Sequence, residues 1–437
     1  MKIWMTILVC SGGWFGQVWG AVEPRSPGNP SVPEASTNGV LTLAQVVSSA
    51  LGDNPSLKSA RANWEAMKER VPQARAWEDL KSEFDSVAGR FVSIPANSFT
   101  DQRLVVEQAV PVSGKNRLRG QAAEAEAATA LAELRRRELD VAAKASGAFY
   151  RLANGFEQLR IVDANIALLK QFARISRAKY ESGSKPESDV LTAETDASKL
   201  EESRFDILRQ VSEAQSQLNV LMNRPAQSPL PKPAELAPLM VHLDLGHLQA
   251  MALEHRPELL MARKKIEAAE ARMAAAKREW LPDPNLRVEA SHYNDSGPVV
   301  SELMAGVSVN IPWLNRRKYK AAIEEARQMK ISAEYELESA QTETLGLVRD
   351  ALNRVETFHH HVELFRDRVL VLARQTASAT RLAYETDRTA FLNLIDAQRT
   401  VQDAESMYWN HLADYLTGLA ELEGIVGRSL EHGAMQH

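Results

Sequence analysis

The 437-residue chain has a formal net charge of −5, 21 Gly, 19 Pro and one Cys, and its commonest residues include Ala, Glu, Arg and Leu. Charge this close to balance argues against a nucleic-acid partner. No nucleophile elbow, phosphate loop, CxxC or HExxH pattern occurs, so neither an enzyme nor a cofactor is expected, and the composition favours long helices.

Lys2, the apolar run Ile3 to Val9 and the small-residue stretch Val18-Trp19-Gly20-Ala21 predict a secretory signal over residues 1–20. Cys10 would leave with it, and a mature chain without cysteine forms no disulfide even in an oxidising compartment. As a lipid-anchor site Cys10 lacks a small residue just before it, because Ile7-Leu8-Val9 precede it. Residues 21–41, with Pro24, Pro27, Pro30 and Pro33, predict a flexible segment. Beyond the signal no run of 18 apolar residues occurs, so membrane contact would need a β-barrel or the surface.

The rest of the chain states one pattern twice, about 200 residues apart. Asn54-Pro55-Ser56-Leu57 is echoed by Arg256-Pro257-Glu258-Leu259, Val110-Pro111 by Ile311-Pro312, and Lys179-Tyr180-Glu181 by Ala383-Tyr384-Glu385. A large duplicated unit without catalytic motifs points to architecture. The first repeat, 42–226, is predicted to hold helices near 43–51 and 57–76, strands at 81–92 and 101–110 around a turn at 94–98, and a long helix pair over 115–222. Phe149, Leu152, Phe156, Leu159, Val162, Ile166 and Leu169 step by three or four, which makes one helical stripe. A rod from Lys115 to Ser182 is roughly 100 Å long at 1.5 Å per residue. Its apolar seam must therefore meet other long helices. The turn at Gly183 to Pro186 leads to a returning rod, Glu187 to Met222. A Pro-rich linker spans 227–243. The second repeat, 244–426, repeats the order with helices at 245–254 and 257–279, strands at 285–293 and 302–311, and rods at 316–385 and 390–425. Residues 427–437 form a tail.

Four strands cannot close a barrel alone and leave edges unpaired. Their length of about ten residues suits tilted membrane-spanning strands. Trp77, Trp280 and Trp313 flank them at one common level, as an aromatic belt at a membrane interface would; core tryptophans at strand–helix junctions are the alternative. Lys115-Asn116-Arg117-Leu118-Arg119 and Arg316-Arg317-Lys318-Tyr319-Lys320 lie just beyond the strand exits, positioned for lipid head groups or simply for helix-start solubility.

From Leu41 to Gly427 the chain resembles the TolC family of outer-membrane efflux proteins. The carrying motifs are Asn54-Pro55 and Arg256-Pro257, the strand exits Val110-Pro111-Val112-Ser113-Gly114-Lys115 and Ile311-Pro312-Trp313, and Tyr384-Glu385 followed by Phe391-Leu392-Asn393-Leu394-Ile395-Asp396-Ala397-Gln398-Arg399. Within the family it is most similar to the CzcC-like outer-membrane subunits of heavy-metal cation efflux systems. The resemblance implies a mainly α chain with a small β part: a homotrimer whose strands close a 12-stranded β-barrel in the outer membrane above a periplasmic α-helical tunnel. It implies a passive duct for metal cations or small toxic compounds. The implied partners are outer-membrane lipid, a periplasmic adaptor of the membrane-fusion type and an inner-membrane transporter of the RND type. A secreted periplasmic helical scaffold, or the same fold serving type I protein secretion, are the alternatives.

The resemblance also carries candidate residues. Asp189, Thr192, Asn393 and Asp396 match the positions that gate the tunnel in this family, with Asn393 standing where an acid is common. An acidic ring in a narrow pore concentrates cations. The bland alternative makes Asp189 a helix-start cap and Asp396 a solvated residue. Tyr180, Gly183, Tyr384 and Asp387 mark the helix tips, as adaptor contacts or as packing; Asp387 occupies a usual glycine position. His359, His360 and His361 suggest a metal, but consecutive helical side chains diverge by about 100° and cannot share one ion, so a solvent-facing cluster and no metal site are expected. His432 and His437 in the tail form no ligand pattern.

Overall fold

The structure is a computed structural model that describes residues 39–86, 100–239, 241, 243–293, 300–386 and 388–430. The expected signal, Cys10, the expected turn at 94–98, Asp387, His432 and His437 lie outside the described residues.

Helix α1 (Leu43–Asp53) begins at a capping box, in which Thr42 and Gln45 each satisfy the other's backbone N–H. It stops at Asn54, whose carboxamide oxygen accepts the Ser56 N–H at 2.9 Å and so starts α2 (Pro55–Arg75). Pro55 in the first helical turn needs no donor, which gives the Asn-Pro motif its physical meaning. Arg256-Pro257 divides α5 (Leu245–His255) from α6 (Pro257–Arg278) the same way, without a side-chain cap.

The strands β1 (Lys81–Ser86), β2 (Thr100–Ala109), β3 (Pro284–Tyr293) and β4 (Val300–Val309) form one antiparallel sheet in sequence order. Its central β2–β3 pair joins residues from both halves of the chain, with Val106 opposite Val288.

Below the sheet, α3 (Lys115–Glu181) runs unbroken for 67 residues, roughly 100 Å. It packs against α2, α6, α9 (Phe391–Val426) and the returning rod α4 (Glu187–Leu221). Midway along, Phe149, Leu152, Leu218, Leu352, Leu412 and Tyr415 form the largest apolar core, onto which the short helices α1 and α5 dock. The Pro-rich linker is pinned to the same region. Leu41 pairs with the chain at Pro233, the Asn219 carboxamide donates to the Ala226 and Ser228 carbonyls, and the Tyr415 hydroxyl donates to Leu239 O at 2.6 Å.

The second descending rod differs from its expected form. Helix α7 (Arg316–Leu364) passes through a five-residue π turn, Phe365–Val369, before α8 (Leu370–Glu385). The cause is spacing. Val348, Val355 and Val362 are buried at intervals of seven, as are Leu370, Ala377 and Tyr384 at least in part, but Val362 and Leu370 are eight apart. One extra residue is taken up by a wider turn, which keeps both stripes facing α9.

The rods α3 and α4 pack closely at Gly155, where an added Cβ would lie 2.7 Å from Val211 Cγ2. Gly155→Leu is expected to cost about 1–3 kcal/mol by overpacking. Gly346→Ala, in open space on α7, should instead stabilise by about 0.5–1 kcal/mol. Thermal unfolding of the two variants checks both signs.

Candidate functional site

The strand register sorts the sheet into two unlike faces. Side chains alternate along a strand, and residues opposite each other in an antiparallel pair share a face. Phe84, Leu104, Ala290 and Leu303 therefore form one row, with Val106, Val288 and Ala305 in the next and Leu286 with Val307 beyond. On this face Phe84 is 66% and Leu303 74% exposed. The other face carries Glu83, Asp85, Arg103, Glu107, Arg287, Glu289 and Glu302. There Arg103 lies 3.5 Å from both Asp85 and Glu289, while Arg287 pairs with Glu107 at 3.3 Å and Glu289 at 2.7 Å. An apolar outside backed by a polar inside is the pattern of a barrel strand in lipid.

Trp77, Trp280 and Trp313 lie just outside the ends of β1, β3 and β4 nearest the helices. Trp77 and Trp313 are exposed, whereas Trp280 leans on Tyr319 with ring centroids 5.8 Å apart. At this level Lys115 corrects the lipid-facing reading of its cluster. It is buried, and its ammonium bridges Glu279 at 3.3 Å and Asp283 at 3.2 Å, while Arg119 reaches Glu279. Asp283 also accepts the Ser113 N–H and hydroxyl, so the network ties the start of α3 to the approach of β3.

The charged face of the sheet continues down the rods. Lys81, Glu107 and Asn285 share a cleft with Lys115, Arg119 and Tyr319 at the tops of α3 and α7. Heptad steps from Arg119 reach Glu126 and Glu133, and from Tyr319 reach Ala326 and Ala333. These residues, with others from α2 and α6, line a groove of about 790 Å³. Glu133 stays ionised there: hydrogen bonds from Arg136 first, then Arg137, outweigh burial and hold its pKa at about 2.

At the far end, α3 closes in a Schellman turn. The Ser184 N–H donates to Lys179 O and the Gly183 N–H to Tyr180 O, with Gly183 at φ +74°, a conformation that costs glycine nothing. In the second repeat the Arg388 N–H closes on Ala383 O at 2.7 Å. The N-terminal parts of α4 and α9 then meet in one apolar cluster of Ala193, Ala197, Phe391, Leu394 and Ile395 with α3 and α8. Asp189 is half-buried in the first turn of α4, which has no side-chain cap. Thr192 donates to Ser188 O, and Asn393 donates to Thr389 Oγ1 at 2.9 Å. Asp396 is exposed and sits 3.3 Å from Arg399.

Arg399 reaches further. Its guanidinium donates to Asp196 on α4 at 2.7 Å, and beside it Gln398 donates to Asn165 on α3. Asp196, only 6% exposed, was not among the sequence candidates. It follows Asp189 by one heptad and adjoins the seam residues Ala193 and Ala197, a spacing that marks it as inward-facing.

The two tip tyrosines part company. Tyr180 is 45% exposed, but Tyr384 is 4% exposed, packed on Phe391 with Lys179 Nζ 4.6 Å from its ring centroid. Tyr384 is thus packed within its own protomer, in the cluster with Phe391 and Leu394. The histidines also differ from expectation. His360 is exposed, but His359 lies against Tyr415 and His361 against His411, with centroids 5.4 and 4.7 Å apart. The α7–α9 contact thus covers two of the three. Among the described residues no group of three or more His, Cys, Asp or Glu is arranged to hold a metal ion, and no helix is long and apolar enough to cross a membrane.

An amphiphilic open sheet carried on rods of about 100 Å is the protomer fold of trimeric outer-membrane barrel-and-tunnel channels. Solved channels share it. The outer-membrane channel OprN superposes with a TM-score of 0.74 at 19% identity, covering 89% of this chain and 90% of that one. The outer membrane protein VceC from Vibrio cholerae gives 0.73 at 18%, covering 89% and 96%. Residues 248–428 match the family model for "Outer membrane efflux protein". Similar proteins include the toluene efflux pump outer membrane protein TtgC of Pseudomonas putida, 24% identical over 88% of this chain and 82% of TtgC. The cobalt-zinc-cadmium resistance protein CzcC of Cupriavidus metallidurans is 22% identical over 93% of this chain and 96% of its own length.

Two predictions follow from this geometry. Arg399→Leu leaves the Asp196 carboxylate buried without its guanidinium and should speed amide exchange through residues 187–199, where Arg399→Lys should not. The depressed pKa of Glu133 contributes stability above its unfolded value near 4.5, and this contribution is lost as pH falls towards 2. Glu133→Gln should flatten the stability–pH curve in that window when followed by thermal melts.

Proposed function

We propose that three copies assemble into a passive export duct across the outer membrane and periplasm, without cofactor or catalytic turnover. The sheet is the observation that supports this most. Its apolar face suits lipid, its charged face suits water, and four strands per copy give the twelve-stranded closure that satisfies both edges. In this reading the Trp77, Trp280 and Trp313 level is the inner rim of the membrane, and the rods enclose the tunnel.

Asp189, Thr192, Asn393 and Asp396 gate the periplasmic end, where the N-terminal parts of α4 and α9 share an apolar cluster. The exposed tip around Tyr180 and Gly183 meets the periplasmic adaptor, and an RND-type inner-membrane transporter supplies the energy and most of the selectivity. Relatives named for toluene efflux and for cobalt, zinc and cadmium resistance support a cargo of small toxic compounds or metal cations.

In planar bilayers the purified protein should form long-lived pores, and Asp189→Ala combined with Asp396→Ala should lower cation over anion permeability at least severalfold. Unchanged currents would remove the gate assignment. A protein that stays monomeric and soluble without detergent would remove the duct.

A further inference from the structure

The groove between the upper rods combines features that a simple wall does not need. Met67 on α2, Met261 on α6 and Met329 on α7 open into it over a floor that includes Ala130, Ala269 and Ala326. Met329 is 63% exposed. Glu126 and Ala326 of the groove lie one heptad below Arg119 and Tyr319, which share a cleft with Lys81 and Glu107 of the charged sheet face, so in the proposed assembly the groove looks into the water-filled bore. Apolar surface gathered on a water-facing wall marks a binding surface more often than a structural one, and about 790 Å³ lies within the ordinary range for small-molecule sites.

The charges around the groove select the guest. Its two basic side chains are already committed, Arg272 to Glu126 and Lys265 to Glu336 at 3.3 Å. Glu325 lines the groove, is exposed and has no ion pair among the described residues. An arriving molecule therefore meets an available carboxylate, flexible thioethers that reshape to fit, and no available cation.

From these features we infer that the groove is a subsite for amphipathic organic cations, one per protomer, which holds cargo in transit through the duct. The inference rests on the reading of this face as the wall of the bore, and it names the substrate class that reading leaves open. Bare divalent ions do not fit, because the lining offers carboxylates dispersed over an apolar floor and no convergent ligand set. The Met side chains and Ala floor take the apolar body, Glu325 takes the charge, and the partial exposure of the groove allows release.

The trimer reconstituted in lipid nanodiscs should bind the lipophilic cation rhodamine 6G saturably, read by fluorescence anisotropy, in excess over empty nanodiscs. Ala326→Trp, which fills the hollow, should weaken that binding about tenfold or more, a loss of about 1.4 kcal/mol, and Glu325→Gln should weaken it less. The anionic dye anilinonaphthalene sulfonate should compete poorly. If Ala326→Trp fails to form trimers, the exposed Met329→Lys decides, since it adds a like charge at the mouth. Identical isotherms for the wild type and these variants, or equal binding of the anionic dye, would overturn the subsite. The same preparation is tested for conductance. Conducting trimers that bind no dye refute the subsite alone, whereas absent conductance refutes the bore on which it rests.

Discussion

An open four-stranded sheet leaves a row of backbone N–H and C=O groups along each outer edge. In hydrocarbon each such group costs several kcal/mol when unpaired, so lipid admits the sheet only if β1 and β4 find partners in other copies. Closure then settles what lies below. Strands arranged in a ring deliver their helices in a ring, and rods of about 100 Å with one apolar seam acquire neighbours on both sides. The Lys115–Glu279–Asp283 network sits where strand becomes helix and fixes the direction of that hand-over.

Much of this architecture is legible in the residues because it depends on periodicity. The three-and-four spacing from Phe149 onwards defines α3, and alternation at Leu104 and Val106 defines β2 and assigns its faces. Asn54 and Pro55 mark a boundary between two helices by their capping chemistry alone. The features that stayed hidden depend on pairing between distant elements. Lys115 looks like part of a basic surface cluster until Asp283, far along the chain, is brought beside it. Asp196 looks like one acid among many until Arg399 arrives from α9. The π turn is marked in the residues only by the eight-residue step from Val362 to Leu370, which a stripe of threes and fours absorbs without a visible break.

The two repeats share an order of elements without sharing chemistry. Tyr180 and Tyr384 occupy corresponding places, yet one faces solvent and the other fills a core with Phe391 and Leu394. Gly183 supplies a left-handed turn in the first tip, and the second tip carries Asp387 at the related position. The first tip thus presents its tyrosine to solvent, whereas the second buries its own.

The widened turn at Phe365–Val369 has a consequence for how this chain can change. A packed rod normally rejects a single-residue deletion, because every side chain beyond it swings by about 100° off its seam. Between Val362 and Leu370 the opposite holds. Losing one residue there would bring Leu370, Ala377 and Tyr384 into cadence with Val348 and Val355 along an ordinary helix, so length variation has a natural refuge at this point.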